Sequence, residues 1–206
     1  GRHDGRHRCG GSAMTGIKTK LFTAAGLAVL LIATGVVAAT TPSEADWEQP
    51  FAVQAVIGEP SAGRNIAVTI HGATVADRVF DDRWNSTPGS IWVVVDASAA
   101  VVRTESSAII GRAALVVGDR RYAASTRPDA FMLNGVALSI DVPTRGLLAF
   151  ELPADALSDA GAKSAGLELA MSADPRLDSM IVATIDLTAA PAIAEAELSD
   201  AVWGEQ

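Results

Sequence analysis

The chain has one cysteine, Cys9, and it lies ahead of everything that reads as folded. No disulfide can staple the remainder, and a thiolate zinc site is excluded there. Histidine is nearly as scarce. Of three, His3 and His7 stand in the N-terminal segment and only His71 lies further on. His3, His7 and Cys9 on an unstructured tail would make a weak metal site. Any Ser–His–acid triad would have to use His71. It falls mid-strand, opposite the side of Ile66, Val68 and Ile70, and reads as solvent-facing. Aromatic residues make up 5% of the chain, so stacking platforms are few; Trp84 and Trp92 are the obvious ones. Glycine-rich phosphate motifs are absent. Paired carboxylates exist, as in any acidic protein, but no pair is marked out for glycosidase chemistry. No catalytic residue, cofactor site or metal site is assigned, and the chain is not read as an enzyme.

What is present begins with residues 21–41, LFTAAGLAVLLIATGVVAATT, which carry no charge. A bilayer core of about 30 Å needs roughly 20 apolar residues in a helix. Lys18 and Lys20 stand just before the run, so the positive-inside rule puts the N-terminus in the cytoplasm and the rest outside. The expected arrangement is a single-pass cell-membrane anchor. The competing reading is a cleaved signal, with Val37 and Ala39 at the small-residue positions of the cleavage site and a secreted product. Residues 1–20 form the cytoplasmic tail. Residues 1–13 read as upstream read-through or appended sequence, with Met14 as the natural start. Residues 42–50 form a short acidic linker in which Trp47 suits either the membrane interface or the edge of the domain.

Charge divides unequally around the run. Five of 16 bases and one of 24 acids precede it, leaving 11 bases against 23 acids and a net charge of −12 on the exported part. Such a surface repels nucleic acid and draws basic partners. Arginine outnumbers lysine, and alanine and valine abound, the pattern of a GC-rich bacterial genome.

Residues 51–187 alternate apolar and polar side chains in short segments separated by turn residues. Phe51 to Ile57 forms one such segment, and Ile66 to His71 another. Gly72 marks a bulge before Val75 to Phe80. Ile91, Val93, Val95, Ala97, Ala99 and Val101 share one side of the clearest strand, with Trp92 opposite as packing. Gly118-Asp119-Arg120 predicts a hairpin between 113–117 and 121–124. Val136, Leu138, Ile140 and Val142 alternate, as do Leu148, Phe150 and Leu152, then Leu167 to Met171, then Ile181 to Leu187. Eight or nine strands without long helical periods predict an all-β, antiparallel β-sandwich, with a barrel as the alternative. Residues 188–206 change character; PAIAEAEL predicts a short helix or an acidic tail.

Function in such folds sits on loops. Asp81 to Ser90 is the longest polar loop, and Asp81, Asp82, Arg83, Trp84 and Asn85 are its candidate interaction residues. Asp81, Asp82 and Asn85 do not have the offsets of an EF-hand calcium loop. Ser125 to Ala130 is the second candidate contact loop.

IWVVVDASA (91–99), ALVVGDRRY (114–122), GLLAFELP (146–153) and GLELAM (166–171) together resemble the Ig-like domains of the telokin-like superfamily. These are exported bacterial domains that follow a lipoprotein signal or membrane anchor. The segment 142–146, VPTRG, departs from the Pro-Gly turn such domains often carry there. The resemblance implies an Ig-like sandwich over roughly residues 65–187 and transfers no binding or catalytic residue. The expectation is a membrane-anchored extracytoplasmic module that binds an envelope protein. The alternative is a secreted sandwich that binds a small molecule or carbohydrate.

Overall fold

A computed structural model describes residues 26–27, 29–36, 48–103 and 109–204. The chain divides into two compact units, Gly1–Trp47 and Glu48–Gln206. In the first, residues 26–27 and 29–36 are helical and exposed. Among the described residues no helix is long and apolar enough to cross a membrane. Residues 21–25, 28 and 37–41 of the expected anchor lie outside the described residues, as do residues 1–20 and 42–47.

The second unit is a two-sheet sandwich of eleven described strands. These are β1 (Phe51–Ala55), β2 (Pro60–Ala62), β3 (Ile66–Phe80), β4 (Ser90–Val101), β5 (Arg112–Val117), β6 (Arg120–Ala123), β7 (Thr144–Pro153), β8 (Ala165–Ala170), β9 (Ser179–Ile185), β10 (Ala192–Glu197) and β11 (Val202–Trp203). One sheet runs β1-β9-β8-β5-β6; the other runs β10-β3-β4-β7-β11, with β2 also on β3. Two short 3₁₀ helices, Ala156–Ser158 and Ala160–Ser164, link β7 to β8.

The main core lies between the sheets. Val93, Val95, Ala97, Ala99 and Val101 of β4 meet Leu148, Phe150 and Leu152 of β7 on one side. Leu115, Leu167, Leu169 and Ile181 face them from the other sheet. Burying each of these valine, leucine, isoleucine and phenylalanine side chains contributes about 1.5–3 kcal/mol. A second apolar cluster sits on the outer face of the β3-β4-β7 sheet, around Ala76, Trp92, Val94, Met132, Ala149 and Leu198. β4 is therefore buried on both faces, and Trp92 is fully buried packing.

The bulge at Gly72 is present. Ile70 pairs with Ala97 and Gly72 with Asp96, so His71 is the extra residue. Because strand side chains have period two, one added residue swaps the faces. Ile66, Val68 and Ile70 face the core before it; Ala73 and Val75 do so after it. The predicted hairpin joins β5 to β6 through Gly118-Asp119, with Gly118 at φ 58°, which a glycine accepts without strain.

Three expectations are corrected. The sandwich is not wholly antiparallel: β1 runs parallel to β9 and β10 parallel to β3. Residues 188–204 are neither helix nor loose tail. They form β10 and β11, because tertiary pairing overrides the local preference: β10 adds to the edge of β3 and β11 to β7. The sandwich therefore extends past residue 187. Val136 to Val142 is not a strand. Val136 and Leu138 are buried in the main core, but the backbone makes only isolated bridges, Val101 to Ile140 and Ser139 to Val142.

Candidate functional site

The sequence DDRWNSTPG carries β3 into β4, and its polar and turn residues end the ladder after Phe80. The segment closes on itself. The Asp81 amide donates to the Trp84 carbonyl at 2.9 Å, and the Ser86 amide to the Val79 carbonyl at 2.9 Å. The buried Ser86 hydroxyl accepts from the Val79 amide at 3.0 Å.

Asp81 does more than shape its own turn. Its Oδ1 accepts from the amides of Arg83 at 2.8 Å and Trp84 at 2.7 Å. Its Oδ2 accepts from the amides of Asp129 at 2.8 Å and Ala130 at 3.1 Å. One carboxylate thus ties together the two loops singled out in the sequence. Desolvation alone would raise its pKa. The four backbone N–H groups favour the ionised form, outweigh that, and hold it below the ordinary value of 3.8.

The other four candidates split by exposure. Trp84 is half-buried and meets Trp92 edge-on, with centroids 5.8 Å apart and planes at 75°. The Arg127 guanidinium lies 5.7 Å from the Trp84 ring centre and 5.4 Å from that of Trp92. Arg127 also pairs with Glu151, which accepts from the Ser90 hydroxyl at 2.8 Å. Asp82, Arg83 and Asn85 face solvent.

A third segment, one the sequence reading missed, completes this end of the sandwich. The Leu198 amide donates to the Phe80 carbonyl at 2.7 Å. Asp200 Oδ1 accepts from the Phe131 amide at 2.8 Å, and the Ala201 amide returns to the Phe131 carbonyl at 2.8 Å. Three consecutive amides, 129 to 131, are therefore held by the carboxylates of Asp81 and Asp200. No local signal in residues 192–197 announces this placement, since Ala and Glu favour a helix. Between the three segments lies a hollow of about 220 Å³ bordered by Asp82, Arg83, Asp129, Glu197 and Asp200. Phe131, 67% exposed, stands at its rim.

This arrangement suits recognition by contact. Asp81 spends its oxygens on amides rather than on a substrate or ion. Among the described residues no three His, Cys, Asp or Glu side chains group to hold a metal.

No known protein family matches the chain, and no curated protein is similar to it in sequence. One similar solved structure is an uncharacterized β-sandwich protein from Clostridium difficile 630. It is 11% identical, with a TM-score of 0.47, over 70% of this chain and 99% of that one. The sandwich assignment rests on the strand pairing of the chain itself.

Proposed function

We propose that the chain is a membrane-anchored, extracytoplasmic β-sandwich of the Ig-like kind that serves the bacterial envelope as a protein–protein interaction module. Its contact surface is the end built by residues 81–89, 125–131 and 197–201. The observation that carries this reading is the double use of Asp81, which fixes both loops before any partner arrives. A prepared surface binds without the cost of ordering loops. Its hollow is rimmed by Asp82, Asp129, Glu197 and Asp200 against the single cation Arg83, with one exposed aromatic, a net negative rim that fits a basic partner with an apolar anchor. The net charge of −12 speeds encounter with such a partner. The anchor reading is supported by the uncharged run at 21–41 behind Lys18 and Lys20.

Two measurements test it. Mass determination of the mature chain from host fractions should find residues 21–41 intact in membranes. A product beginning near Thr40 in the medium would establish secretion instead. A photo-crosslinker at Arg83 should capture an envelope protein in a salt-sensitive way, while one at Gln54 on β1 should not. Equal capture from both positions contradicts the assigned surface.

A further inference from the structure

The opposite half of the same sheet face carries a second cavity, a cleft of about 600 Å³. Drug-sized ligands occupy pockets of about 300–1,000 Å³ that are mostly apolar with a few placed polar groups. Here Pro60, Ala67, Ala100 and Pro143 supply apolar lining. The polar groups are Thr69, His71 and Ser98, with the exposed Asp141 also on the lining.

Two residues, His71 and Asp141, mark it out. His71 is the bulge residue of β3, and bulges re-aim a side chain out of its ladder position. It is half-buried, not solvent-facing as its place mid-strand predicts, because its Nε2 lies 2.8 Å from the Ser98 Oγ on β4. Asp141 holds φ at 55°, the left-handed region that a residue other than glycine enters at a cost. Its amide is anchored to the Val101 carbonyl at 3.0 Å.

We propose that this cleft binds a small uncharged aliphatic molecule whose head group is a hydroxyl or a primary amide. The head group follows from His71. With Nε2 engaged by Ser98, Nδ1 has no partner among the described residues. In a neutral imidazole one nitrogen donates and the other accepts, so Nδ1 takes whichever role Nε2 leaves. A head that both donates and accepts satisfies either tautomer. An anion meets Asp141 and a unit, Glu48–Gln206, with 11 bases against 21 acids. Sugars and quaternary ammonium ions want an aromatic wall, and the lining has none. The body of the ligand lies along the alanine and proline walls. This inference stands apart from the contact surface at Asp81, which uses other residues.

The test uses the full-length chain in nanodiscs with ¹³C-labelled histidine, of which the chain has three, the His71 signal being assigned by its loss in His71→Gln. Butanamide and hexanamide are titrated at pH 8. The His71 signal should shift saturably while those of His3 and His7 stay still. Hexanamide should bind about fifteenfold more tightly than butanamide, since each of the two added methylenes is worth about fourfold when buried. Ala67→Trp should abolish the shift, and Ala67→Leu, a milder filler, should weaken it. A shift that does not saturate, or one indifferent to both Ala67 variants, overturns the proposal. Hexanoate or hexylamine binding as tightly as hexanamide overturns the uncharged head group.

Discussion

His71 divides β3 into two halves whose outer faces differ. Beyond the bulge the face is roofed. Trp92, Val94 and Ala149 lie under Met132 from the β6–β7 connection and Leu198 from the segment after β10. Before the bulge the same face carries Ala67, Thr69 and His71, half-buried beside an open cleft. Both halves belong to one sheet with one main core behind it. The difference lies in what the rest of the chain lays over them. Long-range segments, fixed by Asp81 and Asp200, turn one half into a rigid end. The other half has only a short β2 at its edge and keeps room for a ligand.

That contrast is broken most severely at Trp92. Its replacement by alanine leaves a cavity in the roofed half and should cost about 3–5 kcal/mol in urea denaturation. Thr69→Ala in the open half should stay within about 0.5 kcal/mol of the parent protein. Next comes Leu198→Ala, expected to cost about 2–4 kcal/mol because Leu198 is 3% exposed within the second cluster. If residues 191–204 were a loose tail, that substitution would be silent.

The tail also shows where sequence reasoning stops. β4 was legible because its apolar side chains repeat every second residue over the whole strand. The bulge at Gly72 and the turn at Gly118 were legible because a glycine marks a local backbone need. PAIAEAEL reads locally as helix, since Ala and Glu favour that state. The pairing of Ala196 with Val79 overrides the preference, and no local signal announces it. Val136 to Val142 errs the other way. Its alternation reflects Val136 and Leu138 packing into the core without a neighbouring strand to complete a ladder. For the site, the two loops and Asp81 were legible as polar, turn-rich segments. Their joining was not, because Asp81 and Ala130 meet only through the tertiary fold. His71 was misread for the same reason: its partner Ser98 lies on another strand.

Asp81→Ala sharpens the comparison at intermediate cost. Losing a carboxylate that accepts four amides should remove about 1–3 kcal/mol of stability. The pH dependence has a definite sign. The folded pKa of Asp81 lies below its ordinary 3.8, so its contribution is complete above the unfolded value and is lost as pH falls through the folded one. The gap between parent and Asp81→Asn should therefore be constant from about pH 5 upward and close below about pH 4. The smallest effect is expected for the Arg78–Glu195 pair between β3 and β10. Both partners are about half exposed, at 47% and 50%, so Arg78→Ala should cost under about 1 kcal/mol and less in high salt.

Amide hydrogen exchange of the parent protein against Asp81→Ala tests the central claim most directly. The account predicts that the Asp129 and Ala130 amides are protected in the parent and exchange much faster in the variant. The Val101 amide, bonded to the Ser139 carbonyl at 3.0 Å in the open half, should be unchanged. Equal rates at 129 and 130 in both proteins, or a matching loss at Val101, would contradict a separately stitched end.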